Sequence, residues 1–185
     1  LVAAHNEHRI VWTHLFNLGL FALNGQWDPR VQLAGAALLH GLVAAVLAVL
    51  LGRHAGSGVR WLAALGAVVA CLPLAGWHNA LWGFQTPVYF VAIFALLAFV
   101  GFDSGASWRR PAGTVAAGGA LLAMGPGALV PVALLAVGLL RVVERRQWDR
   151  TDVRQLAPAL LLVAAAWCLR APVPDHAALR PASVA

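Results

Sequence analysis

The 185-residue chain is 61% hydrophobic and 11% charged, with a net charge of +6 and a mean hydropathy of +0.77. Soluble domains carry roughly twice that share of charged residues, so a lipid bilayer is the expected solvent. Nucleic acid is excluded as the reason for the basic balance. All 13 basic residues are arginine, and they gather in short gaps between apolar runs, with no aromatic-interleaved basic face.

In chain order, Leu1 opens the sequence without a methionine, and "LVAA" lacks the charged and apolar regions of a signal peptide. The expectation is a fragment whose beginning lies upstream. "HNEHR", His5 to Arg9, concentrates charge ahead of Ile10 to Asn24, where Thr13, Asn17 and Asn24 recur near helical spacing among Trp12, Leu15, Phe16, Phe21 and Leu23. That pattern predicts an amphipathic surface helix, with Asn6 as its cap and Glu7 in its first turn. "GQWDPR", Gly25 to Arg30, reads as a turn leading into the membrane.

Val31 to Leu51 is long enough to span the hydrocarbon, which takes roughly 20 residues. Trp61 to Trp77 and Thr86 to Phe102 are shorter, and suffice where the membrane is thin or the ends are anchored. Ala112 to Val143 is too long for one pass and is broken by "GPG" at Gly125 to Gly127. Gln155 to Leu169, with Pro158 near its start, is the weakest run. Cys71 and Cys168 lie inside apolar runs and read as small core residues.

Parity decides how to treat the broken run. Two short passes meeting at GPG put Arg53, Arg60, Arg109, Arg110, Arg145, Arg146, Arg150 and Arg154 on one side, with Arg141 at the boundary. Arg9, Arg30, Arg170 and Arg180 fall on the other. A single pass erases this bias, so the positive-inside rule favours two. The predicted fold is an all-α integral membrane protein of about six transmembrane helices plus the surface helix. Residues 1–30 form an outer loop carrying that helix, 31–170 a helical bundle and 171–185 an outer tail. His5, His8, His14, His78, His176, Glu7, Asp28 and Asp175 then share the outer face, where the chemistry is expected.

Each polar motif has two readings. In "HNEHR", Glu7 can take a proton from an acceptor hydroxyl and Arg9 can grip a phosphate bidentately, or the cluster is only a helix start in the headgroup layer. His5 and His8 could share a divalent metal with Glu7, although the spacing is not HExxH and fixes no further ligand. "WHNALWGFQT" places Trp77, Trp82 and Phe84 as an interfacial aromatic belt. With His78, Asn79 and Gln85 interleaved, it alternatively suits a sugar ring or the first isoprene units of a lipid. "AMGPGALVP" is either a tight hairpin or a break that opens an outward cavity, and the short flanking runs favour the cavity. His40, midway along the first span, is either an intramembrane functional group or a neutral histidine bonded to a neighbouring helix. Arg141 to Arg154 reads as a solvated inner loop without chemistry.

"HNEHRI", an amphipathic stretch, a span, "WHNALWGFQ" and "AMGPGALVPVALL", in that order over roughly Ala4 to Leu140, resemble bacterial polytopic membrane glycosyltransferases of the GT-C class. The resemblance implies transfer of a sugar from a polyprenyl-phosphate donor to a cell-envelope glycan or lipid acceptor, on the outer face of the bacterial inner membrane. It matches Glu7, His8 and Arg9 to the catalytic cluster, and Trp82, Gly83, Phe84 and Gln85 to a second loop. It also implies a key acidic residue after an earlier span, upstream of Leu1. Of the three outer carboxylates here, Glu7, Asp28 and Asp175, Glu7 is the expected base. The alternative is a non-catalytic lipid-binding protein, transporter or flippase-like or structural. A transporter predicts ionisable or broken mid-membrane positions in both halves, and only His40 qualifies.

Overall fold

A computed structural model of the chain describes residues 9–54, 56, 58–71, 86–103 and 108–169. Every regular element among them is helical: α1 (Val11–Asn24), α2 (Pro29–His54), α3 (Arg60–Cys71), α4 (Thr86–Phe102), α5 (Arg109–Leu121), a 3-10 turn (Gly125–Ala128), α6 (Leu129–Arg145) and α7 (Arg150–Cys168). The all-α expectation therefore holds among the described residues.

Local chemistry sets several helix ends. Gly25 closes α1 in the left-handed region at φ 72°, donating its N–H to Phe21 O, a conformation that costs glycine little. Asp28 Oδ1 accepts the Arg30 N–H at 2.8 Å, and Pro29 occupies the first helical position of α2, where its missing N–H is harmless. Asp149 and Asp152 cap α7 reciprocally, each backbone N–H meeting the other carboxylate at 2.9 Å. Buried Asp152 also receives Arg145, so the segment read as a solvated loop is a built helix start. At α1 the cap position falls on Ile10, with no side-chain bond and no acidic first-turn residue. Asn6 and Glu7 precede that start and do not serve as its cap and first-turn acid.

The core is made of small residues. Ala98, Ala117, Ala120 and Ala123 are fully buried, beside buried Gly101, Gly113, Gly119, Gly127 and Gly138. A Cβ added at Gly101 would lie 2.6 Å from Gly113 Cα, so α4 and α5 touch backbone to backbone. Gly119 similarly admits the Phe94 ring, and Gly138 admits Leu156. Leu134, Leu156 and Val130 join this core, but many large aliphatic side chains point outward: Leu38 is 77% exposed, Val115 75% and Leu161 70%. Water penalises so much apolar surface. Lipid does not, and there close packing of small residues is what holds helices together.

The helices alternate in direction. Gly101 meets Gly113 and Phe94 meets Gly119, so α5 runs antiparallel to α4. Arg141 reaches Asp103 at 2.6 Å, which sets the end of α6 beside the end of α4. Leu156 against Gly138 turns α7 back along α6. Between α5 and α6 the GPG segment is a tight reversal: a Cβ at Gly127 would collide with the Ala120 carbonyl. The hairpin forms there, and the favoured alternative of a cavity-opening break does not, because Gly127 packs flat on the end of α5.

The alternation collects Arg109, Arg110 and the five arginines from Arg141 to Arg154 at one end, with Arg9 at the other. Two segments have the length and hydropathy of a full span, Pro29–Arg53 and Gly125–Arg145. Only 17% and 33% of their apolar windows are buried, unlike a soluble protein's core helix. Six full-length spans are not found among the described residues. With 13 residues, α5 covers roughly 20 Å at about 1.5 Å per residue, short of about 30 Å of hydrocarbon.

Gly101→Leu forces these backbones apart and is expected to lower unfolding stability by about 1–3 kcal/mol in detergent. A melting midpoint unchanged from the parent would refute the close approach of α4 and α5.

Candidate functional site

The arginine-poor end brings together the starts of α1 and α4 and the ends of α5 and α7. Val11 N–H bonds Leu122 O at 2.9 Å. Trp12 donates its indole N–H to Gly119 O at 2.8 Å while its ring lies 5.0 Å from the Phe94 centroid. Thr13 and Thr86, both buried, pair their hydroxyls at 3.3 Å. One turn further along, Phe16 meets Phe90 edge-on at 5.9 Å. Gln32 donates its side-chain amide to Asn17 Oδ1 at 3.3 Å.

Thr13 and Asn17 of α1 therefore face neighbouring helices, while Leu15, Leu18, Phe21 and Leu23 are exposed. A surface helix turning its polar side to water is not what forms. An apolar surround rewards the reverse, because an unpaired hydroxyl or amide costs more there than an exposed leucine.

Arg9 Nε donates to Leu169 O at 3.3 Å, which sets a positive group on the carbonyl end of α7. Of the residues assigned to catalysis, Arg9 alone lies among those described, and it anchors the chain to α7. Glu7 and His8 fall outside the described residues, as do His5, Trp77, His78, Asn79, Trp82, Phe84 and Gln85. Among the outer carboxylates, Asp28 is engaged in capping α2, and Asp175 lies outside the described residues. Among the described residues no three His, Cys, Asp or Glu side chains converge to hold a metal.

Away from this end, His40 sets its ring edge-on to Tyr89 at 5.3 Å, joining α2 to α4 through aromatic contact. Cys168 is a free, exposed thiol, a correction to its reading as a core residue: it lies on the outward side of α7. Sequence reasoning missed the Thr13–Thr86 pair, since threonines 73 positions apart carry no local signal. The Asp-Pro step at Asp28 and the Asp149–Asp152 spacing were signals that a capping search finds. Comparison with known protein families, curated proteins and solved structures finds no match to this chain.

The hydroxyl pair predicts an asymmetry. Thr13→Val alone strands a buried hydroxyl and is expected to cost about 1–3 kcal/mol, whereas Thr13→Val with Thr86→Val removes both partners and costs no more than the single change. Strictly additive losses in a double-mutant cycle would show that the pair is not coupled.

Proposed function

We propose that the chain is part of a polytopic membrane glycosyltransferase of the GT-C kind, transferring a sugar from a polyprenyl-phosphate donor to a cell-envelope glycan or lipid acceptor. In this reading α2 to α7 cross the bilayer in six alternating passes. The shorter helices sit where the membrane thins or tilt is small. The arginine-rich end faces the cytoplasm of a bacterial cell by the positive-inside rule, and the Arg9 end faces outward.

The observation that carries the reading is the joint between Thr13 and Thr86. Arg9 closes the first polar motif four residues before Thr13, and Gln85 closes the second one peptide unit, about 3.8 Å, before Thr86. Two polar motifs far apart in sequence thus lead out of one anchored junction, on the end with fewer arginines. A purely structural anchor gives no reason for both to start from the same place.

The chemistry follows from the residues in these motifs. The Glu7 carboxylate takes the proton of the acceptor hydroxyl, and that oxygen attacks the anomeric carbon. The bond from that carbon to phosphate oxygen breaks, its electron pair leaving with the lipid phosphate. Arg9 and His8 stabilise the charge that develops on the leaving group. Trp77, Trp82 and Phe84, with His78, Asn79, Gln85 and His5, supply aromatic faces and hydrogen bonds to sugar and isoprene.

Glu7→Gln in membranes is expected to lower sugar transfer roughly 100-fold or more, with insertion and melting midpoint unchanged. Undiminished transfer would remove Glu7 as the base. If the parent protein transfers no sugar from any polyprenyl-phosphate donor yet still binds lipid, the non-catalytic reading replaces this one.

A further inference from the structure

At the arginine-rich end, opposite the proposed site, a cleft of about 350 Å³, counting its open mouth, lies between α4, α5, α6 and α7. Its walls include Phe102, Leu134 and Leu162, while Arg110, Thr114 and Arg154 bring polarity to it. The Arg110 Nε is buried and without a hydrogen-bond partner among the described residues. A buried guanidinium N–H with no acceptor is costly, and something outside the chain commonly supplies one.

The carboxylates of this end do not supply it. Asp103 is engaged by Arg141, Asp149 and Asp152 by Arg145, and Glu144 makes no ion pair with Arg110 or Arg154. Arg154 makes no ion pair among the described residues. Arg110 is the second residue of α5 and Arg154 the fifth of α7. The start of α5 therefore directs the positive end of its dipole toward this region, while that of α7 is already matched by Asp149 and Asp152. The first turn of α5 has no acidic residue and no side-chain cap.

We propose that this cleft holds the phosphate of an anionic phospholipid, gripped by Arg110 and Arg154 with the Thr114 hydroxyl beside them. The closed end has room for about one water. The phosphate therefore sits at the mouth, and its acyl chains lie along the exposed apolar faces of the bundle. Charge complementarity selects the occupant: two cations without counter-charges, framed by apolar walls, match an anion tethered to hydrocarbon. The inference rests on the membrane reading and is independent of sugar transfer.

The test compares the protein in vesicles of phosphatidylcholine alone and with about one-fifth phosphatidylglycerol, reading lipid retention by native mass spectrometry. Phosphatidylglycerol is expected to be retained preferentially, and Arg110→Gln with Arg154→Gln to weaken retention roughly tenfold. Arg53→Gln, outside the cleft, is expected to leave retention unchanged. The paired lysine variant is expected to keep part of it, with helicity of all variants checked by circular dichroism.

Equal retention in parent and double glutamine variant, or an equal loss on Arg53→Gln, overturns the site. Displacement of the lipid by millimolar inorganic phosphate makes the occupant a soluble phosphate and overturns the lipid assignment. If the protein enters both kinds of vesicle but does not discriminate, this inference alone falls. If it enters neither, the membrane reading falls with it.

Discussion

The backbone contact between Gly101 and Gly113 sets the distance at which α4 and α5 pack, and the other helices are arranged around that pair. At this separation only small residues fit between the axes, which is why Ala98, Ala116, Ala117 and Ala120 form the buried seam. α6 and α7 close on the same seam through Leu134 and Ala159. At the opposite end Trp12 of α1 reaches over Phe94 to the Gly119 carbonyl. A leucine core would gain nothing from burial if the surround were already hydrocarbon. Alanine and glycine gain close van der Waals contact and lose little side-chain entropy.

The same surround explains where the polar groups go. Within the bundle several are matched locally: Thr13 with Thr86, Asn17 with Gln32, Trp12 with a carbonyl. Among the described residues formal charges are kept to the helix ends. The two ends differ in kind. One has Arg9 tied to the α7 terminus and the hydroxyl joint. The other has a dense arginine set only partly offset by Asp103, Asp149 and Asp152.

Much of the fold was legible in the sequence because apolar run length and arginine spacing are local quantities. The bounds of α4 coincide with the Thr86 to Phe102 run, and the GPG break falls where α5 gives way to α6. α7 begins earlier than its apolar run, at Arg150, because the Asp149–Asp152 capping pair extends it into polar sequence. The candidate site was less legible. Glu7 and the tryptophan-rich motif stand out by composition and lie outside the described residues, whereas the Thr13–Thr86 pair is one that composition does not mark.

By itself the sequence determined the helical class, the breaks between helices and the segregation of arginine into alternate gaps. These follow from hydropathy, from turn residues and from the number of residues between charges. Tertiary structure alone decided that α1 turns Thr13 and Asn17 inward, that Arg9 lies on the end of α7 and that Arg110 faces a cleft with Arg154. Each depends on which helix is adjacent, and adjacency comes from glycine-to-backbone contacts such as Gly101 on Gly113, which no local pattern encodes.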